Sequence, residues 1–232
     1  MTFSETVSDR LPARAWRTRA LDRSLEESRA RSVARMDALV AAARELANES
    51  GSSAFTVAQV AERAGSSLKG FYRCFQGKDD LLLALLEDDS GLGARILAAQ
   101  IARNEEPEAR LGAYVVGLFE MLTHPGALGY AGVLVREHRR LSEEHPDELD
   151  AAIAPLVHLL VDEIRRADAA GAVASADPVR DAHATFTLVL AGIHDVTLGR
   201  AAPLDLAAHV WQFVWRGLGG RPATGGNAHG HP

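Results

Sequence analysis

Apolar side chains recur every three or four positions along most of the chain, the period of one buried helical face, and glycine or proline breaks the runs. The first run is Val33, Met36, Val40, Ala43 and Ala47, ended by Gly51. Ahead of it, Ser-Leu-Glu-Glu at Ser24–Glu27 has the form of a capping box, so a helix is expected to begin there. A second box, Thr-Val-Ala-Gln at Thr56–Gln59, opens a much shorter helix with Val57, Val60, Ala61 and Ala64 facing inward. Gly65 follows directly, a residue that turns the chain through positive φ without a Cβ penalty. Ser66 and Ser67 then restart a helix from Leu68 to Cys74. Two short helices joined by a glycine turn, behind a longer one, predict a helix-turn-helix.

Gly77 closes that unit, and Lys78-Asp79-Asp80 opens a long helix carrying Leu81, Leu82, Leu85, Leu86, Ile96 and Leu97 up to a break near Pro107. Leu111, Tyr114, Val115, Leu118, Phe119 and Leu122 form the next apolar face, interrupted by Pro125 and Gly126. A helix through Val133 and Leu134 ends in the polar run REHRRLSEEHPDE. Pro146 is placed to begin a helix with Ile153, Leu156, Val157, Leu160, Val161 and Ile164 inward, capped by Gly171. Asp177-Pro178 gives an N-cap and first helical residue ahead of Ala182, Phe186, Val189, Leu190 and Ile193. A last helix from about Pro203 carries Leu206, Val210, Phe213 and Val214, and the glycine-rich tail after it reads as disordered. The expected fold class is all-α, with about nine helices.

Composition narrows the class. A chain of 232 residues, 47% hydrophobic and 24% charged, suits one large or two modest globular domains. One cysteine forbids an intrachain disulfide, the N-terminus lacks the basic-then-apolar order of a signal peptide, and no apolar run is long enough to span a bilayer. These features predict a cytoplasmic chain with no membrane partner. The net charge of −6 conceals an asymmetry: residues 1–80 hold 13 basic and 11 acidic side chains, residues 81–232 hold 12 and 20. Arg14, Arg17, Arg19, Arg23, Arg29, Arg31 and Arg35 crowd the first helix and its approach, as suits a polyanion, or equally a solvated face interleaved with Glu26, Glu27 and Asp37. The only two lysines, Lys69 and Lys78, both lie at the helix-turn-helix, and Lys78 opposes the dipole at a helix N-terminus.

A DNA backbone gives that lysine a purpose. In a helix-turn-helix the second short helix enters the major groove while hydroxyls, amides and cations on either side hold phosphates. On that geometry Thr56, Tyr72 and Lys78 are candidate phosphate contacts. Ser67, Leu68, Lys69 and Gly70 face base edges, with Lys69 suited to guanine O6 or N7 and Leu68 to a thymine methyl. Phe71 and Phe75 are expected to anchor the inner face.

The stretch FTVAQVAERAGSSLKGFYRCFQGKDDLLLALLE resembles the DNA-binding domain of the TetR family of bacterial transcriptional regulators. Thr56, Val60-Ala61, Ala64-Gly65, Ser67, Tyr72, Phe75, Lys78 and Leu81 carry the resemblance, which covers roughly residues 28 to 90. Many members have Gly-Thr or Gly-Ala before an aliphatic residue in the recognition helix; Leu68-Lys69-Gly70-Phe71 stands here instead and leaves the operator sequence open. The resemblance implies a larger second helical domain that dimerises through the final two helices and binds a small ligand. It divides the chain into a flexible basic arm (1–23), a three-helix DNA-binding domain (24–77), an effector-binding and dimerisation domain (78–217) and a disordered tail (218–232). It further implies a homodimeric repressor released from double-stranded palindromic DNA by a small apolar or amphipathic effector. Aromatic or polar groups on otherwise apolar helices, Tyr114, Phe119, His158, Phe186 and His194, are the candidate effector contacts.

No Gly-x-Ser-x-Gly, P-loop, dinucleotide fingerprint or His-Glu-x-x-His occurs, so neither an enzyme nor a cofactor is expected, and Cys74 reads as a small apolar filler. Two alternatives remain open. His158, His183 and His194 keep a metal-sensing repressor in view. A helical ligand-binding protein without DNA binding is the other, against which intact Thr56, Tyr72 and Lys78 count.

Overall fold

The computed structural model describes residues 15–220, so the expected flexible basic arm over residues 1–14, Arg14 included, and the expected disordered tail over residues 221–232 lie outside the described part. The described residues form nine α-helices and no strand: α1 (Ala15–Ser50), α2 (Val57–Arg63), α3 (Leu68–Phe71), α4 (Lys78–Ile101), α5 (Pro107–Glu120), α6 (Ala127–Glu144), α7 (Pro146–Ala169), α8 (Pro178–Thr197) and α9 (Pro203–Gly217). A single 3₁₀ turn, Met121–Thr123, separates α5 from α6. The all-α expectation holds, and four helices begin with proline as their first residue, where the missing N–H has no intrahelical partner to lose.

Two boundaries differ from expectation. Helix α1 begins at Ala15, so the Ser24–Glu27 capping box lies inside it and caps nothing. No glycine or proline occurs between Ala13 and Ser50, and a hydroxyl alone does not stop a run of arginine, alanine, leucine and glutamate. Residues 21–34 are all exposed, including Val33, so the packed face of α1 starts at Met36. Helix α3 ends at Phe71 instead of Cys74; the chain continues as a turn closed by Cys74 N and Phe75 N on the Phe71 carbonyl.

Leu39, Ala43, Val60, Phe71, Leu81 and Leu85 are buried together and fasten α1, α2 and α3 to the start of α4. That core continues into the larger helical body, where α4 packs against α5, α6 and α7, and α9 closes over α5 and α8. Inside the larger body Arg110 on α5 holds Glu163 on α7 through two bonds, Nε to Oε2 at 2.7 Å and Nη2 to Oε1 at 2.6 Å. Glu163 is almost fully buried, so this bidentate pair is what makes its charge tolerable there.

Candidate nucleic-acid interface and apolar cavity

The turn between α2 and α3 is built by Gly65, at φ +61°. Ser66 N donates to the Ala61 carbonyl at 2.8 Å and Gly65 N to the Glu62 carbonyl at 3.0 Å, the paired bonds of a Schellman ending. Thr56 caps α2 as the sequence requires: its Oγ1 accepts from Gln59 N at 3.2 Å while Thr56 N donates to Gln59 Oε1 at 2.8 Å. Ser67 caps α3 by accepting from Gly70 N at 3.0 Å. A Cβ at Gly70 would stand 2.5 Å from Ser66 Oγ, so the glycine lets helix and turn close on each other.

Phe71 and Phe75 point inward and are buried, their ring centroids 5.6 Å apart. The opposite side of α3 presents Ser67, Lys69, Leu68 (50% exposed) and Tyr72 (59% exposed) to solvent. A leucine on a four-residue helix and a tyrosine at its C-cap, both left this bare, form a surface that packing within the chain does not explain. Lys78 sits beside this surface in a different posture: its ammonium donates to the Ser53 carbonyl and lies 4.9 Å from the Phe55 ring centroid. It ties the loop ahead of α2 to the first residue of α4, and the ammonium carries three donors, so the Ser53 bond leaves two.

The larger body holds an apolar cavity of about 280 Å³ among α4, α5, α6, α7 and α8, open to solvent beside the exposed Leu92 and Ile96. Leucine, isoleucine and valine side chains supply most of its wall, with Tyr130, His138, Phe186 and Asp89 as the aromatic or titratable members. Of the five residues expected at an effector site, only Phe186 lines it. Tyr114 and Phe119 are fully buried packing residues. The Tyr114 hydroxyl donates to the Leu156 carbonyl at 3.0 Å, and burial pushes its pKa up. His158 lies on a separate cleft between α7 and α8 with Asp150, Arg165 and His183. His194 is half-buried, and its Nδ1 has no hydrogen-bond partner.

Sequence reasoning missed Tyr130 and His138. The Tyr130 hydroxyl donates to Asp89 Oδ2, and Asp89 Oδ1 accepts from Arg44 Nε at 3.0 Å, which joins the cavity wall to α1. Burial raises the Asp89 carboxyl above its ordinary pKa, against the pull of Tyr130 and Arg44. The His138 ring stands 6.3 Å from that of Phe186, and its Nε2 is buried with no hydrogen-bond partner. Burial holds this histidine below its usual pKa, against an opposing effect of Asp150.

Helix α6 carries both sets of contacts. Tyr130, Leu134 and His138 line the cavity, while at 100° per residue Arg136 and Arg140 project from the other side and Glu137 from the flank beside Tyr130. Arg136 Nη2 donates to the Gly51 carbonyl at 2.7 Å, and Glu137 accepts from Ser53 Oγ at 2.5 Å and from Arg140 Nε at 2.9 Å. Arg140 Nη2 reaches Asp79 at 2.5 Å and holds that carboxyl below its ordinary pKa. Among the described residues, Asp79, Glu144 and His145 are the one set spaced for a metal ion, and Arg140 already occupies both carboxylates. The three histidines of the metal-sensing alternative do not assemble into such a set. No helix among the described residues is long and apolar enough to cross a membrane.

Residues 39–85 match the family model for bacterial regulatory proteins of the tetR family. No curated protein sequence matches the chain. Among solved structures, the transcriptional regulator FadR of Bacillus subtilis in complex with stearoyl-CoA superimposes with a TM-score of 0.65 at 18% identity, over 76% of this chain and 96% of its own. A Rhodococcus sp. protein described as a TetR-family transcriptional regulator gives 0.63 at 22%, over 80% and 99%. RolR in complex with resorcinol gives 0.62 at 20%, over 83% and 96%. At these identities the three likenesses show a shared fold. Residues 39–85, the helix-turn-helix and the start of α4, thus carry the tetR family model, and the all-helical body behind them shares its fold with these solved structures.

Proposed function

We propose that the chain is a homodimeric repressor that grips operator DNA with α2 and α3 and lets go when a small apolar or amphipathic molecule enters the α4–α8 cavity. The observation that carries this reading is the double role of α6, which lines the cavity with one face and, through Arg136, Glu137 and Arg140 on its flank and far side, is bonded to Gly51, Ser53 and Asp79 around the helix-turn-helix. A ligand that repositions α6 strains those bonds, and repression is relieved to the extent that the ligand prefers the shifted conformer. Lys69, Leu68 and Ser67 serve as base readers, and Thr56, Tyr72 and Lys78 hold the phosphate rail. The ligands of the two liganded neighbours, stearoyl-CoA and resorcinol, belong to those proteins and bracket a wide range of sizes.

One four-residue recognition helix reads few base pairs, whereas two held about 34 Å apart read a palindrome. Exposed Phe213 and Leu204 on α9 and Val179 at the start of α8 support pairing of these helices with a second copy. Sedimentation of the full chain at micromolar concentration is expected to give a dimer. The decisive experiment is capture of genomic fragments by the purified protein, followed by a mobility shift on the recovered duplexes. Tight, salt-dependent binding to a palindromic subset is the expected result. Indifference to every duplex at low ionic strength, including the protein's own upstream region, would leave only the helical ligand-binding alternative.

A further inference from the structure

The cavity selects its ligand by charge and by one hydrogen bond. Asp89 is the only acidic group lining it, no lysine or arginine lines it, and Arg44 reaches Asp89 from α1 without lining the cavity. A carboxylate, phosphate or thioester-linked nucleotide entering this space would leave water for an apolar wall with no cation to receive it. The Tyr130 hydroxyl already spends its proton on Asp89. His138 is different: it lines the cavity and its Nε2 is buried without a partner, an exception that native interiors seldom tolerate and that a bound group relieves.

Size narrows the choice further. A closed apolar cavity of about 150 Å³ holds one benzene, so this partly open one, at about 280 Å³, covers about eleven non-hydrogen atoms of a bound molecule. We propose that the ligand is an uncharged aromatic or alicyclic molecule of that size bearing one hydroxyl, its rings packed against Phe186 and the aliphatic wall and its hydroxyl paired with His138 Nε2. A hydroxyl both donates and accepts, so it satisfies either tautomer of a neutral imidazole. This proposal rests on reading the cavity as the effector site.

The test is calorimetric titration of the full-length protein with three matched probes: 2-naphthol, naphthalene and 2-naphthoate. 2-Naphthol is expected to bind about tenfold more tightly than naphthalene, the worth of one well-placed hydrogen bond, and 2-naphthoate more weakly than either. In His138→Leu, and independently in His138→Asn if the leucine variant does not fold, the advantage of 2-naphthol over naphthalene should shrink or vanish while naphthalene still binds. Equal binding of 2-naphthol and naphthalene, stronger binding of 2-naphthoate, no binding of any probe, or an unchanged preference in both variants would each overturn the assignment. The regulator reading fails separately: 2-naphthol that binds as expected yet leaves the protein's hold on its captured duplex unaltered upholds the ligand class and removes the effector role. A long acyl thioester that releases DNA while 2-naphthol is ignored does the reverse.

Discussion

Neutralising Lys78 should lower the salt dependence of DNA binding by a calculable amount. Each phosphate neutralised by a cation contributes a slope of about −0.9 in log K against log salt, and the proposed dimer presents two copies, so loss of both removes about 1.8. If the electrostatic contribution fades near 1 M salt, the same loss at about 0.1 M weakens binding by about 60-fold, or about 2.5 kcal/mol. Alanine is the wrong replacement on its own, because Lys78 also donates to the Ser53 carbonyl and covers the Phe55 ring, and losing those contacts loosens the entry to α2. Lys78→Gln keeps a donor on a shortened stem and isolates the charge. Fluorescence anisotropy on a mixed-sequence duplex, titrated from roughly 50 to 200 mM salt, measures the slope. Lys69→Ala, measured on a captured natural site, should instead relax the choice at one or two base pairs. An unchanged slope in Lys78→Gln, or equal and sequence-blind losses in both variants, would refute the division between a gripping and a reading lysine.

Three further outcomes follow from contacts described above. Glu137→Ala removes the acceptor for Ser53 and Arg140, so DNA and cavity ligand should each still bind while the coupling between them, typically about 1–3 kcal/mol, shrinks; anisotropy with and without ligand reads it. Arg110→Met strands the buried Glu163 carboxylate and should cost about 3–5 kcal/mol in urea unfolding, with Glu163→Gln in the same background recovering part of the loss. Burial depresses the folded-state pKa of His138, so the unfolded chain takes up a proton first as pH falls below about 6.5 and stability declines there; His138→Leu should flatten that part of the stability profile.

The helices were legible because their ends are written in residues with a local mechanism. Pro107, Pro146, Pro178 and Pro203 each stand at a helix start, and Gly51, Gly65 and Gly171 each take positive φ at a helix end. The helix-turn-helix was legible for the same reason, since Thr56, Gly65 and Ser67 act within a few residues of themselves. The Ser24 box misled because a capping sequence without a preceding breaker has no helix start to satisfy. The cavity was not legible. Tyr114 and Phe119 look like Phe186 in any helical pattern, and only three-dimensional packing decides which ring is core and which is wall. His138 falls in a polar run that reads as surface, and the Arg110–Glu163 pair spans a separation that periodicity does not see.

Helix α4 starts where the recognition unit ends and is packed on both α1 and α7, so no hinge peptide intervenes between the two halves of the molecule. Exchanging the front half for that of another regulator therefore means splicing within a rigid rod. One residue added at the seam turns everything beyond it by 100° and advances it by 1.5 Å, whereas an insertion of seven nearly restores the original phase at the expense of about 10 Å of reach. Hybrid regulators made from this scaffold should work only when the graft preserves helical register, and a flexible glycine spacer at that seam should uncouple sensing from DNA binding altogether.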